Sequence, residues 1–375
     1  MESGEQVNEP KVGQQNGASN KKKLYIIIIT VVVVVVVVVA VVLGVVLGTK
    51  KDEKEDDLIV NSYDNTEELI KKFPVLNPTT VKDGLEKNIQ NRLLTGFENW
   101  NRGFDAWKAW GDILYTNESI YNVHGARLTL AQYQKSMDIT LKRTNILMGD
   151  FHNMLINDEF CAIYYDIVTI SGEKRTNGTV MEFVKFKDYG EKLGTRVVEG
   201  WGGTNDTSYS GMVNFQGPDE KAYEANEIKE MLNYQLPPTS VLKDKYKVKY
   251  PSTYSEDYAN TLIDIILNGF ESWNAGITRY ESWLDSNFDT NAVFCGLEKV
   301  NRTMRVYKQE IEELFNKNTI KKIYFDNILI RDKWAALHYR FTNTTDGKKT
   351  VGDRMEFLQF EKQGDNWKII SSFVK

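Results

Sequence analysis

The chain repeats the stretch GFENWNRG (residues 96–103) as GFESWNAG (residues 269–276), 173 positions later. Further along, GTVMEF (178–183) matches GDRMEF (352–357) at an offset of 174. Two matches at a nearly constant offset indicate two tandem copies of one domain. Each copy is long enough to bury a core of its own, so the pattern favours a pair of domains over a solenoid of short repeats.

Upstream of these matches, the two copies differ in their spacing. The stretch LNPTTV (76–81) resembles LPPTSV (236–241) at an offset of only 160. This shorter offset predicts that the second copy carries ~13 extra residues before its first main helix. The insertion would occupy a stretch rich in Tyr and Lys around residues 243–258.

Each copy shows the same order of predicted elements. Large apolar residues lie at helical spacing at positions 97, 100, 104 and 107, and the second copy repeats this at 270, 273, 277 and 280. Second helical segments follow, around 127–143 and 298–315, and then strand-like runs at 160–170, 178–186, 195–201, 334–342, 351–361 and 367–374. Helices followed by a meander of antiparallel strands predict an α+β fold, with the helices packed on one face of a sheet.

The order of elements and three short motifs resemble the SnoaL-like, nuclear transport factor 2-like superfamily. The motifs are W-N-x-G at residues 100–103 and 273–276, and the late strands DRMEFLQFE (353–361) and GDNWKI (364–369). The resemblance implies two cone-shaped domains, each with N-terminal helices packed on a curved antiparallel sheet around a pocket. It implies no single function, because this superfamily includes isomerases, cyclases, dehydratases, ligand-binding domains and protein-binding dimers. Members often pair through their sheets, which implies an intramolecular pseudo-dimer of the two copies.

Composition excludes several classes of protein. Lys and Arg number 47 and Asp and Glu number 52, so the net charge of −5 argues against a nucleic-acid binder. Two Cys and three His argue against a cysteine-based zinc site or a His-rich metal site. The sequence also has no phosphate-binding Gly loop, so neither a metal nor a cofactor is expected. Whether Cys161 and Cys295 form a disulfide stays open.

Residues 24–48 form an apolar run of 25 residues without a charge. At a helical rise of ~1.5 Å per residue it would be roughly 37 Å long, enough to cross a bilayer. The run is too long for a signal peptide, and it predicts a single-pass anchor in a lipid bilayer. The four lysines before the run, against three after it, favour a cytoplasmic N-terminus and extracellular or lumenal domains. Glycosylation sequons compatible with that side occur at Asn117, Asn177, Asn205, Asn301 and Asn343.

These features divide the chain into six predicted segments. Residues 1–23 are a disordered cytoplasmic tail and residues 24–48 a transmembrane helix. The remaining segments are a charged stalk at 49–66, a first SnoaL-like domain at 67–205, a linker at 206–226 and a second SnoaL-like domain at 227–375.

Two glutamates are the first candidates for chemistry. Strand alternation puts Glu182 on one face with Val184 and Phe186, and Glu356 on one face with Leu358 and Phe360. A carboxylate among apolar neighbours is expected to be partly buried, which raises its pKa toward the range of a general acid or base. The alternative is that the opposite faces point inward and leave both carboxylates in solvent.

His338 is the candidate proton partner of Glu356 in the second copy. It lies on the strand 334–342, in phase with Trp334, and aligns with Tyr165 of the first copy. A His–Glu pair across neighbouring strands could transfer a proton. The alternative is an ordinary cross-strand polar pair.

Aromatic residues are the candidates for lining a pocket. Trp100 and Trp273 lie on the helical apolar stripe, where a core position is the first interpretation and a pocket wall the second. Trp110 and Trp283 lie farther along and could close the pocket mouth. Tyr165, on a strand that faces the predicted pocket, completes this set.

The preferred hypothesis is a membrane-anchored protein whose two domains bind a small apolar ligand or a protein partner, without assignable catalysis. The second hypothesis is an isomerase, cyclase or dehydratase that uses Glu356 and His338 of the second domain. The third is a structural surface protein with collapsed pockets. Because the aligned copies share mainly apolar residues, one reaction in both domains is disfavoured.

Overall fold

The computed structural model describes residues 66–123, 126–190, 193–204, 248–249, 252–254, 257–295 and 301–374. The predicted tail, transmembrane segment and linker lie outside these ranges, as does the predicted stalk except for Thr66. Within these ranges, no helix is both long and apolar enough to cross a membrane.

The first half of the described chain builds one mixed sheet with four helices. Its elements are α1 (Thr66–Lys72), β1 (Val75–Asn77), α2 (Leu85–Trp100), α3 (Phe104–Leu114), β2 (Tyr115–Val123), β3 (Ala126–Thr129), α4 (Leu130–Leu141), β4 (Asn145–Asn157), β5 (Phe160–Ser171), β6 (Lys174–Asp188) and β7 (Thr195–Thr204). The strand order in the sheet is β1-β4-β5-β6-β7-β2-β3.

The second half repeats this plan. Its elements are α5 (Ala259–Ala275), α6 (Ile277–Asn287), β8 (Phe288–Cys295), β9 (Asn301–Thr303), α7 (Met304–Lys317), β10 (Thr319–Arg331), β11 (Trp334–Thr345), β12 (Lys348–Gln363) and β13 (Asn366–Val374). The strand order β10-β11-β12-β13-β8-β9 is that of the first sheet without its first strand. The chain is therefore α+β with two separate sheets.

The sheets are mixed, whereas the sequence pattern suggested purely antiparallel ones. The strand that follows the helical hairpin pairs in parallel with the last strand of its half, as β2 with β7 and β8 with β13. Parallel neighbours need a long connection, and the intervening helices and strands supply it. The alternation of apolar and polar residues along a strand does not depend on whether the neighbouring strand is parallel or antiparallel. The sequence pattern therefore could not predict the parallel pairs.

The edge of each sheet corrects the predicted insertion in the second copy. Val75 pairs in parallel with Phe151, and Val248 forms a parallel bridge with Phe325. The stretch VLNPTT (75–80) therefore corresponds to VKYPST (248–253) at an offset of 173. The predicted match to residues 236–241 was wrong, and no 13-residue insertion is needed. The short resemblance between residues 76–81 and 236–241 had suggested an offset of 160, although the rest of the repeat has an offset of 173 or 174.

Strand register also corrects which tyrosine and histidine are equivalent. Glu182 lies opposite Ile163 on the neighbouring strand, and Glu356 lies opposite Leu337. The offset in these strands is therefore 174, and Tyr165 corresponds to Tyr339 rather than to His338. Both halves thus carry a Tyr and a Glu at equivalent positions. Aligning Tyr165 with His338 had obscured this shared polar feature.

A glycine in each half allows two helices to approach closely. Gly96 of α2 lies against the ring of Trp110, and Gly269 of α5 lies against the ring of Trp283. The indole Nε1 of Trp110 donates to the carbonyl of Arg92 at 3.0 Å, and that of Trp283 donates to the carbonyl of Ile265 at 3.1 Å. The two tryptophans therefore join the helices of each hairpin, where the sequence suggested that they close a pocket mouth.

Replacing Gly96 with alanine is expected to lower the free energy of unfolding by about 1–3 kcal/mol, because the added Cβ would overlap the Trp110 ring. Gly111→Ala is the matched control. A Cβ added at Gly111 would lie 3.6 Å from the Tyr115 ring, an ordinary contact, and alanine favours a helix. Urea denaturation of both variants measures the difference. A Gly96→Ala protein as stable as Gly111→Ala would contradict the packing of this hairpin.

The outer faces of the two sheets, away from their helices, share one buried apolar cluster. It contains Phe160, Met181 and Trp201 from the first sheet and Trp334, Met355 and Phe357 from the second. The helix-facing cores of the two halves are separate clusters.

The contacts between the outer faces are reciprocal. Tyr164 lies 6.1 Å from Phe357, ring centre to ring centre, and its equivalent His338 lies 5.4 Å from Phe183. At the strand ends, the Asn157 amide donates to the carbonyl of Ile330 at 3.4 Å. The equivalent Arg331 donates from Nε to the carbonyl of Ile156 at 3.1 Å. Equivalent residues contacting one another in both directions are typical of a two-fold interface.

Candidate functional site

The second half contains a cavity of about 280 Å³ between its helices and the inner face of its sheet. The apolar part of the wall includes Trp273, Phe294, Leu314, Ile320 and Phe341. Its volume is close to the lower end of the range for small-molecule sites. A cavity of this size suits a small ligand of up to about three rings.

The equivalent space in the first half is almost filled, with a cavity of about 40 Å³. Trp107 occupies it and is fully buried, with Trp100 at 6.1 Å and Tyr133 at 5.6 Å between ring centres. The second half has the smaller Tyr280 at the position of Trp107. Loss of the larger ring helps to explain why only the second half has an open cavity among the described residues.

Lys322 on β10 places an amine in the wall of the larger cavity. Its Nζ lies 4.3 Å from the ring centre of Phe270, 4.7 Å from that of Trp273 and 5.0 Å from that of Tyr339. Burial lowers the pKa of Lys322 to about 8, although the nearby Glu356 carboxylate acts in the opposite direction. The three aromatic faces stabilise the cationic form and so oppose part of the effect of burial on this pKa.

The asparagine of the W-N-x-G motif fixes the strand that carries this lysine. The Asn274 side chain accepts from the Lys322 backbone N–H at 2.8 Å and donates to the Lys322 carbonyl at 2.7 Å. In the first half, Asn101 accepts from the backbone N–H of Met148, the residue equivalent to Lys322, at 2.7 Å. The motif asparagine therefore joins the helix to a strand in both halves, an arrangement called here the helix-to-sheet clamp. Only in the second half is the strand residue that it holds a lysine.

Arg354 and Glu356 lie on β12 and face the same cavity. The Arg354 guanidinium lies 5.2 Å from the ring centre of Phe341, and Val180 is its equivalent in the first half. Neither Arg354 nor Lys322 takes part in any of the ion pairs among the described residues. The Glu356 carboxylate accepts from the Ser372 hydroxyl at 2.8 Å. The cavity therefore holds two cations that no protein carboxylate contacts directly.

Tyrosine hydroxyls complete the polar part of the cavity. Burial raises the pKa of Tyr339 well above its usual value, and the Glu356 carboxylate adds to that effect. The Tyr280 and Tyr307 hydroxyl oxygens are 3.3 Å apart, and burial raises the pKa of Tyr307 to about 12. All three phenols are therefore protonated near neutral pH and can donate a hydrogen bond.

In the first half, Glu182 and Tyr165 meet inside the small cavity. The Tyr165 hydroxyl donates to Glu182 Oε1 at 3.0 Å. Burial raises the pKa of Glu182 to about 7, although hydrogen bonds from Tyr121 and Tyr165 oppose the shift. Trp100 and Trp110 line the same cavity. The side chains here are buried with little space for a ligand.

The structure does not bring His338 and Glu356 together. His338 alternates with Leu337 and Tyr339, so it points to the outer face of the sheet, whereas Glu356 faces the cavity. There, His338 Nε2 is 2.9 Å from Asp353 Oδ2, and Arg340 Nε is 2.5 Å from Asp326 Oδ2. Burial opposes protonation of His338, but the Asp326 and Asp353 carboxylates raise its pKa. The candidate acid–base pair is therefore not formed, and His338 belongs instead to a buried ionic cluster between the sheets.

The other predicted site residues are distributed as follows. Trp273 lines the large cavity, whereas Trp283 lines an adjoining space of about 20 Å³. Asn117, Asn177 and Asn301 are exposed, Asn343 is half-buried, and Asn205 lies outside the described residues. Cys161 and Cys295 are both buried free thiols. Among the described residues, no cluster of His, Cys, Asp or Glu could hold a metal ion.

The sequence analysis did not identify Lys322 or Arg354 as a site residue. A signal for both was present, because the repeat places Met148 and Val180 of the first copy at these positions. Two replacements of an apolar residue by a cation, both at strand positions that line a cavity, are unusual because Lys and Arg lie mostly on the exposed surface.

The comparisons find no matching protein-family model and no matching curated protein. Solved structures do match in part. A SnoaL-like polyketide cyclase from Agrobacterium tumefaciens is 16% identical, with 30% of this chain and 89% of that chain covered and a TM-score of 0.26. A ketosteroid isomerase-like protein from Erwinia carotovora atroseptica is 12% identical, with 32% and 95% covered and a TM-score of 0.26. A nuclear transport factor 2-like protein of unknown function from Pseudomonas putida is 10% identical, with 31% and 84% covered and a TM-score of 0.26.

Each likeness spans about a third of this chain and most of the other protein. Identities this low concern the fold alone.

Proposed function

We propose that the second half of this chain binds a small amphiphilic anion in its cavity. The apolar body of the ligand packs against the aromatic wall, and its carboxylate, sulfonate or phosphate lies against Arg354 with Lys322 nearby. The observation that carries this proposal is the presence of two cations in an aromatic cavity, neither of them paired with a carboxylate. A planar guanidinium can hold such an anion with two parallel hydrogen bonds.

The charges of the cavity support an anionic ligand over a neutral one. Removing a cation from water costs free energy unless an anion or hydrogen-bond acceptors compensate. Glu356 offsets part of the positive charge, but its hydrogen bond comes from Ser372 rather than from either cation. The other charged pair in the wall, Arg302 and Glu310, is self-compensating, with Arg302 Nε 2.6 Å from Glu310 Oε1.

In this proposal the first half serves as a packing partner rather than as a second binding domain. Its equivalent cavity is small, and Met148 and Val180 replace the two cations. The reciprocal contacts between the outer faces of the sheets support an intramolecular pair of domains. The uncharged run at residues 24–48 supports membrane display of this pair, as proposed from the sequence.

Replacing Arg354 with valine, the first-half residue, is expected to weaken binding of 8-anilinonaphthalene-1-sulfonate by roughly tenfold to a hundredfold. That change corresponds to loss of a charge-assisted hydrogen bond, about 1.5–3 kcal/mol. Binding of N-phenyl-1-naphthylamine, which has the same rings without the sulfonate, should change by less than about twofold. Fluorescence titration of the full chain measures both affinities.

Arg279→Val is the matched control, since Arg279 is exposed on α6 and does not line the cavity. Binding of a probe to the apolar run at residues 24–48 would be the same in all variants, so it does not affect the comparison of their affinities. Equal loss of both probes in Arg354→Val would indicate damage to the fold. Equal affinity of the sulfonate probe for Arg354→Val and Arg279→Val would refute the proposed function.

A further inference from the structure

We infer that Lys322 forms a reversible imine with aldehydes or ketones that carry an anionic group, so the ligand class of this cavity is an amphiphilic carbonyl compound. The inference rests on the proposed function, because Arg354 must hold the anionic end of the ligand. It adds a covalent step and assigns different tasks to the two cations.

The surroundings of Lys322 suit an amine that reacts. Its Nζ is enclosed by the rings of Phe270, Trp273 and Tyr339 and borders the cavity. The backbone of Lys322 is held on both sides by Asn274, so the position of the side chain is fixed at its base. No carboxylate of the described residues forms an ion pair with Nζ, which leaves its lone pair available once a proton is lost. A desolvated lysine in an apolar pocket is the usual arrangement for imine chemistry.

The reaction balances without any oxidant or reductant. The neutral amine attacks the carbonyl carbon, a C–N bond forms, and a proton passes from the nitrogen to the oxygen to give the hydroxyl of a carbinolamine. That hydroxyl gains a second proton and leaves as water while the nitrogen lone pair forms the C=N bond. The resulting protonated imine can lose its N–H proton to water, which balances the proton that was gained. The Tyr339 hydroxyl faces the same cavity and can donate a hydrogen bond to the departing oxygen, while water supplies the proton. Hydrolysis reverses each step and returns the free lysine.

Two features make the step selective for this lysine. At about pH 7.5, a group with a pKa of about 8 has a substantial neutral fraction, whereas an exposed lysine has roughly one part in a thousand. A ligand anion on Arg354 would also raise the local concentration of the carbonyl group near Nζ. The first half has Met148 at the equivalent position, which shows that this fold accommodates an apolar side chain there.

The test is reductive labelling of the full chain with 4-carboxybenzaldehyde and cyanoborohydride at about pH 7.5, followed by peptide mapping. Labelling at Lys322 is expected to be at least roughly tenfold faster than at Lys348, an exposed lysine at the start of β12. Lys322→Met should lose this label, and Lys348→Met should keep it. Because Lys322 and Lys348 are compared within the same wild-type sample, the test does not depend on any variant folding correctly.

A parallel titration separates the inference from the proposed function. Displacement of 8-anilinonaphthalene-1-sulfonate by 4-carboxybenzyl alcohol, which binds but lacks the carbonyl group, reports occupancy of the cavity. Displacement by this alcohol, with labelling spread over exposed lysines, would overturn the imine and leave the binding function intact. If neither the alcohol nor the aldehyde displaces the probe and Lys322 labels no faster than Lys348, both proposals fail.

Discussion

Replacing Arg331 with methionine is expected to lower the free energy of unfolding by about 3–5 kcal/mol, because the Glu86 carboxylate would stay buried without its cation. Arg331 Nη2 lies 2.5 Å from Glu86 Oε1, and the two side chains are only 2% and 4% exposed. The ion pair joins the end of β10 in the second half to α2 in the first. The guanidinium also donates to the carbonyl of Ile156, so its loss removes two contacts between the halves.

The double variant Arg331→Met, Glu86→Gln separates loss of the cation from loss of packing. Neutralising Glu86 removes the buried unpaired charge, so the double variant should recover a large part of the stability lost by the single one. Urea denaturation of the wild-type chain, both single variants and the double variant gives the coupling energy. A single Arg331→Met variant that loses less than about 1 kcal/mol would show that this ion pair is exposed to solvent.

Glu182 is expected to make the chain less stable as the pH rises from about 5 to about 8. The pKa of Glu182 is about 7 in the folded chain and 4.5 for the ordinary carboxyl, because burial disfavours the charged form. Between these values the folded state binds more protons than the unfolded state, so the free energy of unfolding falls with pH. The contribution of this single group is about 2–3 kcal/mol over that interval.

Glu182→Gln tests this effect because glutamine does not titrate and can still accept from Tyr165. The free energy of unfolding of both proteins, measured in urea at about pH 5 and about pH 8, gives two pH differences. The wild type should lose about 2–3 kcal/mol more stability than the variant over this interval. Equal pH dependence of the two proteins would mean that Glu182 is ionised throughout, and therefore solvated.

The α+β class and the internal repeat could be predicted from the sequence because both depend on local patterns. Helical spacing of Phe97, Trp100, Phe104 and Trp107 and strand alternation are properties of neighbouring residues. Parallel pairing of β2 with β7 depends on where a distant strand enters the sheet, which no local pattern encodes.

The site was harder to predict because a shift of one residue changes the face of a strand. Aligning Tyr165 with His338 placed a histidine beside Glu356, whereas the register places Tyr339 on that face and His338 on the other. The strand around His338 is buried on both faces, so its hydrophobic pattern did not distinguish them. Comparing charged with apolar residues across the repeat would have identified Lys322, whose equivalent is Met148.

Divergence between the two halves is the main evidence for function in this chain. The halves share the helix-to-sheet clamp of Asn101 and Asn274 and the Tyr–Glu positions of the inner face. They differ in cavity volume, about 40 Å³ against about 280 Å³, and in two cations that line the larger cavity. Features shared by both halves explain the fold, and features found only in the second explain its cavity.

The most direct test of the central claim is a crystal structure of the full chain with 8-anilinonaphthalene-1-sulfonate bound. We predict one probe molecule in the second-half cavity, with its sulfonate within hydrogen-bond distance of the Arg354 guanidinium and its rings against Trp273 and Phe341. Probe density in the first half or only on the surface, with the second-half cavity empty, would contradict the proposed function.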